Sequence, residues 1–450
     1  MVSDAFIPEF EDPVPTGATV VATRPGVDAG YLSEEAARHG FEPVAAVSTL
    51  SDRPTRTPSR FFPEFGLAVL EPGERLKGRN RGASIAAQAE AAAAMGTVER
   101  HRPEFWASVD DRPGPATGDA AFEAALRDWA RDGLRLLVDR FDVPGGRVAF
   151  RDAVPEPEGS DVERMTDDAG ATWAMRAVGA DRAVATGRGV DVCILDTGVD
   201  PTHERLHETV AEALDFTGGN NPNDVHGHGT HCAGLIAGAT PRGGVRIGVA
   251  PKVDLYSAKV LGDSGFGREM HIFDGLAWAI ERRVDVISAS LSLNLGPGED
   301  ILGVYERLMR AARSRDILVV AAAGNASFRP AYVHPVAAPA NHPTALAVGA
   351  IDRADRIAYF SNGGRLGGPQ VDLVAPGVDV LSAAVSPGRL ARKTGTSMAT
   401  PIVAGIAALL KEHDPGLSAE ALRDRLASSA RRLGAEEAFG AGCAAVPAGV

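Results

Sequence analysis

The sequence predicts an α/β protein with a mainly parallel central sheet, preceded by a smaller α+β N-terminal region. Three observations carry this. GVDVCILD (189–196), VDVISASLS (284–292), ILVVAAAGN (317–325) and ALAVGAI (345–351) are short apolar runs rich in Val and Ile. They alternate with helix-like stretches such as REMHIFDGLAWAIERR (268–283) and VYERLMRAARSRD (304–316). Continuous apolar strands separated by helices indicate a parallel sheet covered on both faces. The third observation is a change of texture near residue 172, where EPEGSDVERMTDDAGA (156–171) is acidic and poor in apolar residues, a linker signal.

The elements follow in order. Residues 1–55 are rich in Pro, Asp, Glu and Thr with weak periodicity, and a loosely structured lead-in is expected there. Residues 56–150 read as a small domain. FGLAVLEPG (65–73) is a strand and turn, and GASIAAQAEAAAAMG (82–96) is a helix of strong helix formers stopped by Gly96. GTVERHRPEFWASV (96–109) is a second strand. DAAFEAALRDWARDGLRLLVDRF (119–141) places Phe122, Leu126, Trp129 and Leu137 near one helical face. Residues 151–171 form the linker, and 172–450 the main domain.

Bulk properties exclude several classes. A chain of 450 residues, 44% hydrophobic, accommodates a large globular domain and a smaller one. The net charge of -13 argues against a nucleic-acid partner, which needs a basic face. No run reaches the roughly 18 apolar residues of a membrane span, so no membrane partner is expected. The start, MVSDAFIPEFEDP, lacks the basic and apolar regions of a secretory signal. Cys193, Cys232 and Cys443 are odd in number and far apart, unlike a disulfide framework or a CxxC metal site. The expectation is a cytoplasmic protein with reduced thiols, with export by another route as the second option.

Sites in open α/β sheets gather at the carboxyl ends of strands, and Asp196 and Asn325 each end a predicted strand. Three segments hold the chemistry. CILDTGVD (193–200) ends a buried strand in Asp196, and HGHGTHCAG (226–234) opens a helix. KTGTSMATPIVAGIAALL (393–410) sets Ser397 at the start of an apolar helix, with Pro401 expected in its first turn. An acid, an imidazole and a hydroxyl are the parts of a nucleophilic triad. The helix N-terminus under Ser397 offers N–H groups to a developing oxyanion. A three-histidine zinc site at His226, His228 and His231 lacks a fourth ligand. His231 is instead expected to be buried and hydrogen-bonded, and His226 to tune the base. DTG (196–198) imitates an aspartic protease but has no second copy. GDSG (262–265) imitates a chymotrypsin nucleophile without His and Asp in the matching order, and reads as a glycine turn.

With these residues in hand, the chain from about 172 to 450 resembles the subtilisin-like serine proteases (subtilases, peptidase family S8). The order Asp, His, Ser is that of subtilisin. The strand DVCILDTGVDPTHERL, the motif HGTHCAG, the stretch IGVAPKVDLYSAKVL, the turn AAAGN, and APGVDV, GTSMATP and FGAGCAAVPAGV all occur in family order. The resemblance implies a three-layer subtilisin-like fold and a serine endopeptidase acting through an acyl-enzyme. It implies Asp196 as orienting acid, His228 as general base and Ser397 as nucleophile. Asn325, with the Ser397 N–H, would form the oxyanion hole. Peptide or protein substrate would add as a strand between SGFG (264–267) and SLSL (290–293). Gly265, Gly267, Ser290, Leu291, Ser292 and Gly324 would bind it. SAS (288–290), AAAG (321–324) and Ala337 to Ala340 would wall the pocket before the cut, which suggests an apolar or aromatic preference.

The resemblance has further implications. Ser292 replaces a usual glycine, narrowing the entrance. Arg205 stands where many members have a calcium-binding aspartate, and TPRGGVR (240–246) has no carboxylate. Calcium needs several oxygen ligands, so the tight site is expected to be absent, with no cofactor required. Cys232, on the His228 helix, is expected to be a core thiol that reagents could reach. The N-terminal part faintly resembles the family's inhibitory propeptide, which would make the chain a zymogen cut near 150–172; an accessory domain is the other reading. The alternative function is a catalytically silent peptide-binding or regulatory protein on the same fold.

Overall fold

The computed structural model describes residues 15–46, 59–62, 64–65, 67–77, 81–109, 112–113, 170–293, 302–330, 332–364, 371–385 and 390–450. The helix expected over 119–141 and the linker to residue 169 lie outside the described residues.

The N-terminal elements are β1 (Pro15–Thr23), α1 (Ala29–Arg38), β2 (Val44–Ala46), β3 (Ser59–Phe62) and β4 (Leu67–Leu70). They continue with α2 (Arg81–Ala93), β5 (Val98–Ser108) and the two-residue β6 (Arg112–Pro113). The expected strand, helix and strand at 65–73, 82–96 and 96–109 therefore form. The expectation of a loose lead-in over 1–55 is corrected at 15–46. There β1 is an interior strand, with Val20 opposite Val69 of β4 on one side and Arg102 of β5 on the other. Its order comes from partners about 50 and 80 residues away, which local periodicity cannot report. Helix α1 begins where the Asp28 carboxylate accepts from the Tyr31 N–H (2.9 Å).

This N-terminal sheet is covered on both faces. Val21, Phe61, Ala68 and Leu70 pack with Leu32 and Ala36 of α1 and Ala92 of α2. The alternate residues Val20, Phe62, Leu67 and Val69 face the main domain, as the two-residue period of a strand requires.

The main domain opens with α3 (Trp173–Ala177), β7 (Asp191–Asp196), β8 (Val210–Asp215) and α4 (His228–Ala237). Next come β9 (Asp254–Lys259), β10 (Phe266–Arg268), α5 (Glu269–Arg282), β11 (Val286–Ala289) and α6 (Leu302–Ser314). They are followed by β12 (Leu318–Ala322), β13 (Leu346–Ile351), β14 (Leu373–Pro376), β15 (Val380–Ala383) and β16 (Leu390–Thr394). Helices α7 (Thr396–His413), α8 (Ala419–Ser429) and α9 (Glu436–Phe439) close the chain. The predicted parallel sheet forms in the order β14-β13-β12-β11-β7-β9-β8. The chain leaves β7 towards β8 and later returns to its other side at β11, so the strand order reverses there. The carboxyl end of such a strand is where open sheets place their sites, and Asp196 is its last residue.

Val192 and Ile194 of β7 face the layer containing α4 and α7, and Cys193 and Leu195 face the layer containing α5 and α6. The N-terminal sheet docks on that second helix layer. Phe62, Phe65 and Leu67 share a core with Phe273, Leu276, Tyr305 and Met309. Arg60–Asp274, Arg268–Glu71 and Arg315–Glu64 pairs fringe the contact. The Arg307 guanidinium also spans Glu99 (2.9 Å) and the Thr23 carbonyl (2.8 Å). Leu32 is fully buried in the N-terminal core. Leu32→Ala, in a Ser397→Ala chain, is expected to cost roughly 2–5 kcal/mol of N-terminal stability in urea unfolding, leaving the main-domain transition in place.

Candidate active site

Asp196 and His228 meet in the interior. Asp196 Oδ1 accepts from His228 Nδ1 at 2.7 Å and from the Thr197 N–H at 2.7 Å, and both side chains are essentially inaccessible to solvent. Glycines allow the approach. A Cβ on Gly229 would lie 2.0 Å from the Gly198 carbonyl oxygen, and one on Gly198, which has φ +102°, 2.5 Å from that of Pro222.

Asp224 holds the start of α4. Its carboxylate accepts from the Gly227 N–H (2.8 Å), the Thr230 N–H (2.8 Å) and hydroxyl (2.7 Å), and the Thr197 hydroxyl (2.9 Å). A carboxylate there satisfies exposed helix N–H groups and favours the dipole. Asp224 lies three residues before the N-cap Gly227, outside the usual capping position, so the sequence gives no signal for it.

Ser397 is the second residue of α7. Pro401, expected in the first turn, is the sixth residue, one helical hydrogen-bond step beyond Ser397. Lacking an N–H, it leaves the Ser397 carbonyl without its helical donor. The Ser290 hydroxyl (3.0 Å) and the Cys232 thiol (3.3 Å) donate to that carbonyl instead. The Ser397 hydroxyl in turn donates to the Ser290 carbonyl (3.3 Å). Cys232 Sγ also lies 3.8 Å from His228 Nδ1, so the thiol sits between the imidazole and the serine turn.

Asn325 follows β12, three residues past its last member. Its Oδ1 accepts from the Thr396 N–H and hydroxyl, both at 2.9 Å. The carbonyl end of the amide is thereby tied beside Ser397, leaving Nδ2 as the donor end.

The three histidines of HGHGTHCAG have separate surroundings. His231 Nε2 faces the carbonyls of Val380 (3.0 Å) and Ala391 (3.1 Å), so it must carry the proton and donate to β15 and β16. Burial, then the charges of Lys393 and His228, push its pKa down to about 3, which keeps the ring neutral. The His226 ring stands 6.4 Å from that of His228 and beside Gly265, where a Cβ would lie 2.9 Å from His226 Nε2. A different group, Asp196, His228 and Cys232, has ligand atoms within 4.8 Å of one another. A zinc ion needs about 2 Å to each ligand, and the direct 2.7 Å bond between Asp196 and His228 occupies that space.

Burial alone would depress the His228 pKa, but the charge and hydrogen bond of Asp196 carry it well above the ordinary value. Burial pushes the Cys232 thiol up to about 11, so it is uncharged at neutral pH, and the elevation of His228 rests on Asp196.

The predicted substrate segments are assembled around this centre. Leu293 exchanges hydrogen bonds with Ala338 (2.9 and 3.2 Å), and the Ala337 N–H reaches the Ala323 carbonyl (2.9 Å). The segments 288–293, 321–324 and 337–340 thus adjoin. Leu291 turns into the core, while Ser290 and Ser292 lie between such residues. Gly324, with φ +100°, abuts Asn362. Gly265 closes a turn on Gly262 (2.9 Å), and Asp263 accepts from the buried Lys259 ammonium (2.8 Å), so GDSG is a structural turn. Gly267 lies in β10, which pairs with β5. The Arg205 guanidinium donates to the carbonyls of Val245 (2.7 Å) and Ala239 (3.4 Å).

A carboxylate-held imidazole beside a clamped serine, at the carboxyl edge of a parallel sheet, defines the class of α/β serine hydrolases. The chain belongs to the subtilase family, whose model matches residues 187–442. It is 40% identical over 270 residues to Subtilisin Savinase of Lederbergia lenta, covering 60% of this chain and 93% of that protein. It is 42% identical over 231 residues to an intracellular serine protease of Paenibacillus polymyxa, covering 50% and 68%. It is also 39% identical over 274 residues to alkaline elastase YaB of Bacillus sp. (strain YaB), covering 60% and 68%. The protein is a serine-type endopeptidase, and peptides or proteins are its substrates.

The His228 imidazolium is expected to persist to pH values above 6.5. Asp196→Asn should move its titration to lower pH, read from the downfield imidazole N–H proton resonance by NMR.

Proposed function

We propose that this endopeptidase works through Asp196, His228 and Ser397, made as a precursor whose N-terminal region blocks the cleft. The observation carrying the first part is the buried 2.7 Å Asp196–His228 bond beside the clamped Ser397 turn. Neutral His228 takes the proton of the Ser397 hydroxyl as Oγ attacks the scissile carbonyl. Asp196 holds the tautomer and stabilises the imidazolium. The Asn325 amide and the N–H at the α7 N-terminus receive the oxyanion. His228 then protonates the leaving amine, and water hydrolyses the acyl-enzyme. Gly265, Gly267, Ser290, Leu291, Ser292 and Gly324 form the walls and edges that hold substrate.

The blocking role is supported by β5. It pairs antiparallel with β10, the edge assigned to substrate, and the Val109 N–H donates to the Gly265 carbonyl (3.1 Å). This is strand addition by the chain's own segment. The arginine–carboxylate pairs at the docking face add further support.

Calcium is proposed to be unnecessary at the family's tight site. Arg205 supplies an internal cation to the carbonyls of Val245 and Ala239, where an ion would otherwise be required.

Ser397→Ala should abolish both casein cleavage and fluorophosphonate labelling. Retained turnover would overturn the triad assignment. Asn325→Ala should lower kcat on the order of 10²–10³-fold with little change in KM. The melting temperature of the Ser397→Ala chain should be the same in EDTA and in calcium. Arg205→Ala should cost about 1–3 kcal/mol by removing charged hydrogen bonds to the half-buried carbonyls of Val245 and Ala239.

A further inference from the structure

Lys259 is a buried ammonium that the mechanism above does not use. It is the last residue of β9, only 2% exposed, and stands in register with Asp196, the last residue of β7. The Asp196 carbonyl accepts from the N–H groups of Val260 (2.9 Å) and Leu261 (3.1 Å). The Lys259 ammonium continues this seam by one peptide, donating to the Thr197 carbonyl at 2.6 Å. It also donates to the Asn223 carbonyl (3.4 Å), next to the Asp224 that holds the start of α4, and to the Asp263 carboxylate (2.8 Å). An ammonium has three N–H donors, and here they serve three separate segments around the triad.

These segments are held with unequal firmness. The Thr197 hydroxyl accepts from the Gly229 N–H (2.9 Å) and donates to Asp224 (2.9 Å), so Thr197 and the Asn223–Asp224 peptide are already tied to the start of α4. Asp263 differs. Its side chain is 57% exposed, and an exposed partner adds little holding force by itself. What keeps it against Lys259 is the placement of the turn 262–265. That turn is closed by the Gly262 N–H on the Phe266 carbonyl (2.8 Å) and the Gly265 N–H on the Gly262 carbonyl (2.9 Å). It leads directly into β10, the edge assigned to substrate. In this structure a strand lies on that edge: Ala107 is in register with Gly267, and the Val109 N–H donates to the Gly265 carbonyl (3.1 Å). With the edge occupied, the Asp263–Lys259 contact is closed.

We propose that Lys259 is a positioning residue that couples occupancy of the β10 edge to the acid side of the triad. A strand paired along β10 sets the 262–265 turn, and Asp263 then meets the buried ammonium. The ammonium in turn holds the Thr197 and Asn223 carbonyls, and with them the Asp196–His228 geometry. Turnover therefore depends on how far a substrate reaches along the edge as well as on the residue in the pocket before the cut. The inference rests on the triad and the substrate edge proposed above. A buried charge that loses its counter-ion must be met by its remaining acceptors or by water. With Asp263 withdrawn, that demand falls on the turn that keeps Asp196 within 2.7 Å of His228. Proton transfer needs hydrogen-bond reach, so small displacements there lower the rate. The GDSG stretch, which imitates a nucleophile in sequence, thus supplies a counter-ion.

Steady-state kinetics on active enzyme obtained from the full chain test this, with Lys259→Met and Asp263→Asn as variants. The probes are two acylated peptide p-nitroanilides, one and four residues long, with the same residue before the cut. Wild-type enzyme is expected to turn over the longer one with the higher kcat. In both variants the long-to-short ratio of kcat should fall roughly fivefold or more. Asp263→Glu, which keeps the carboxylate, should recover most of that ratio, and no recovery would overturn the proposal. Asp263 lies at the surface, so its variants decide the matter even where Lys259→Met does not fold. If lengthening the substrate leaves the wild-type kcat unchanged, β10 is not the substrate edge and the inference falls with that reading. If lengthening raises kcat but the variants lose both substrates equally, or change KM alone, the edge reading stands and the coupling is wrong. Failure of the triad reading shows separately, as turnover retained by Ser397→Ala.

Discussion

The hydrogen bond between Asp196 and His228 is the constraint on which the rest of the site depends. A carboxylate removed from water is strongly disfavoured unless its charge is met by donors. Here the Thr197 N–H and the imidazole meet it, and the same charge makes His228 hold a proton more tightly. The bond requires the end of β7 and the first turn of α4 to come closer than side chains on Gly198 and Gly229 would allow. Asp224 then secures the helix start against the DTG turn by binding Thr197 and Thr230 at once.

The serine turn is held by a complementary device. Pro401 interrupts one helical hydrogen bond, and the vacated Ser397 carbonyl is anchored by Ser290, just past β11, and from α4 by Cys232. The Ser397 backbone is thus tied to the helix that carries His228. Asn325 is tied through Thr396 to the same turn. Three elements distant in sequence share one small set of bonds, so displacement of any one would be felt by the others.

Docking of the N-terminal region follows from the two-sided character of its sheet. One face is covered by α1 and α2. The other can only be covered by α5 and α6, where Phe62, Phe65 and Leu67 meet Phe273 and Tyr305. Apolar burial supplies adhesion, and the arginine–carboxylate pairs fix orientation. That orientation aligns β5 with β10 as an antiparallel pair.

Much of this was legible in one chain. The parallel sheet was readable because strands buried on both faces must be continuously apolar, as in VISA and LVVAA. Asp196, His228, Ser397 and Asn325 were readable because each lies in a short segment whose glycines and small residues have few other uses. The order of residues 15–46 was not readable, since β1 owes its place to strands far along the chain. Asp224 and the use of the Ser397 carbonyl were also hidden. Which chemical groups exist, and the local turns that present them, depend on neighbours within a few residues and so can be read along the chain. The long-range contacts alone show that Cys232 and Ser290 clamp the Ser397 carbonyl, that Arg205 occupies a carbonyl cradle and that β5 pairs with β10. Those facts arise from pairing and packing between distant segments, which no local pattern encodes.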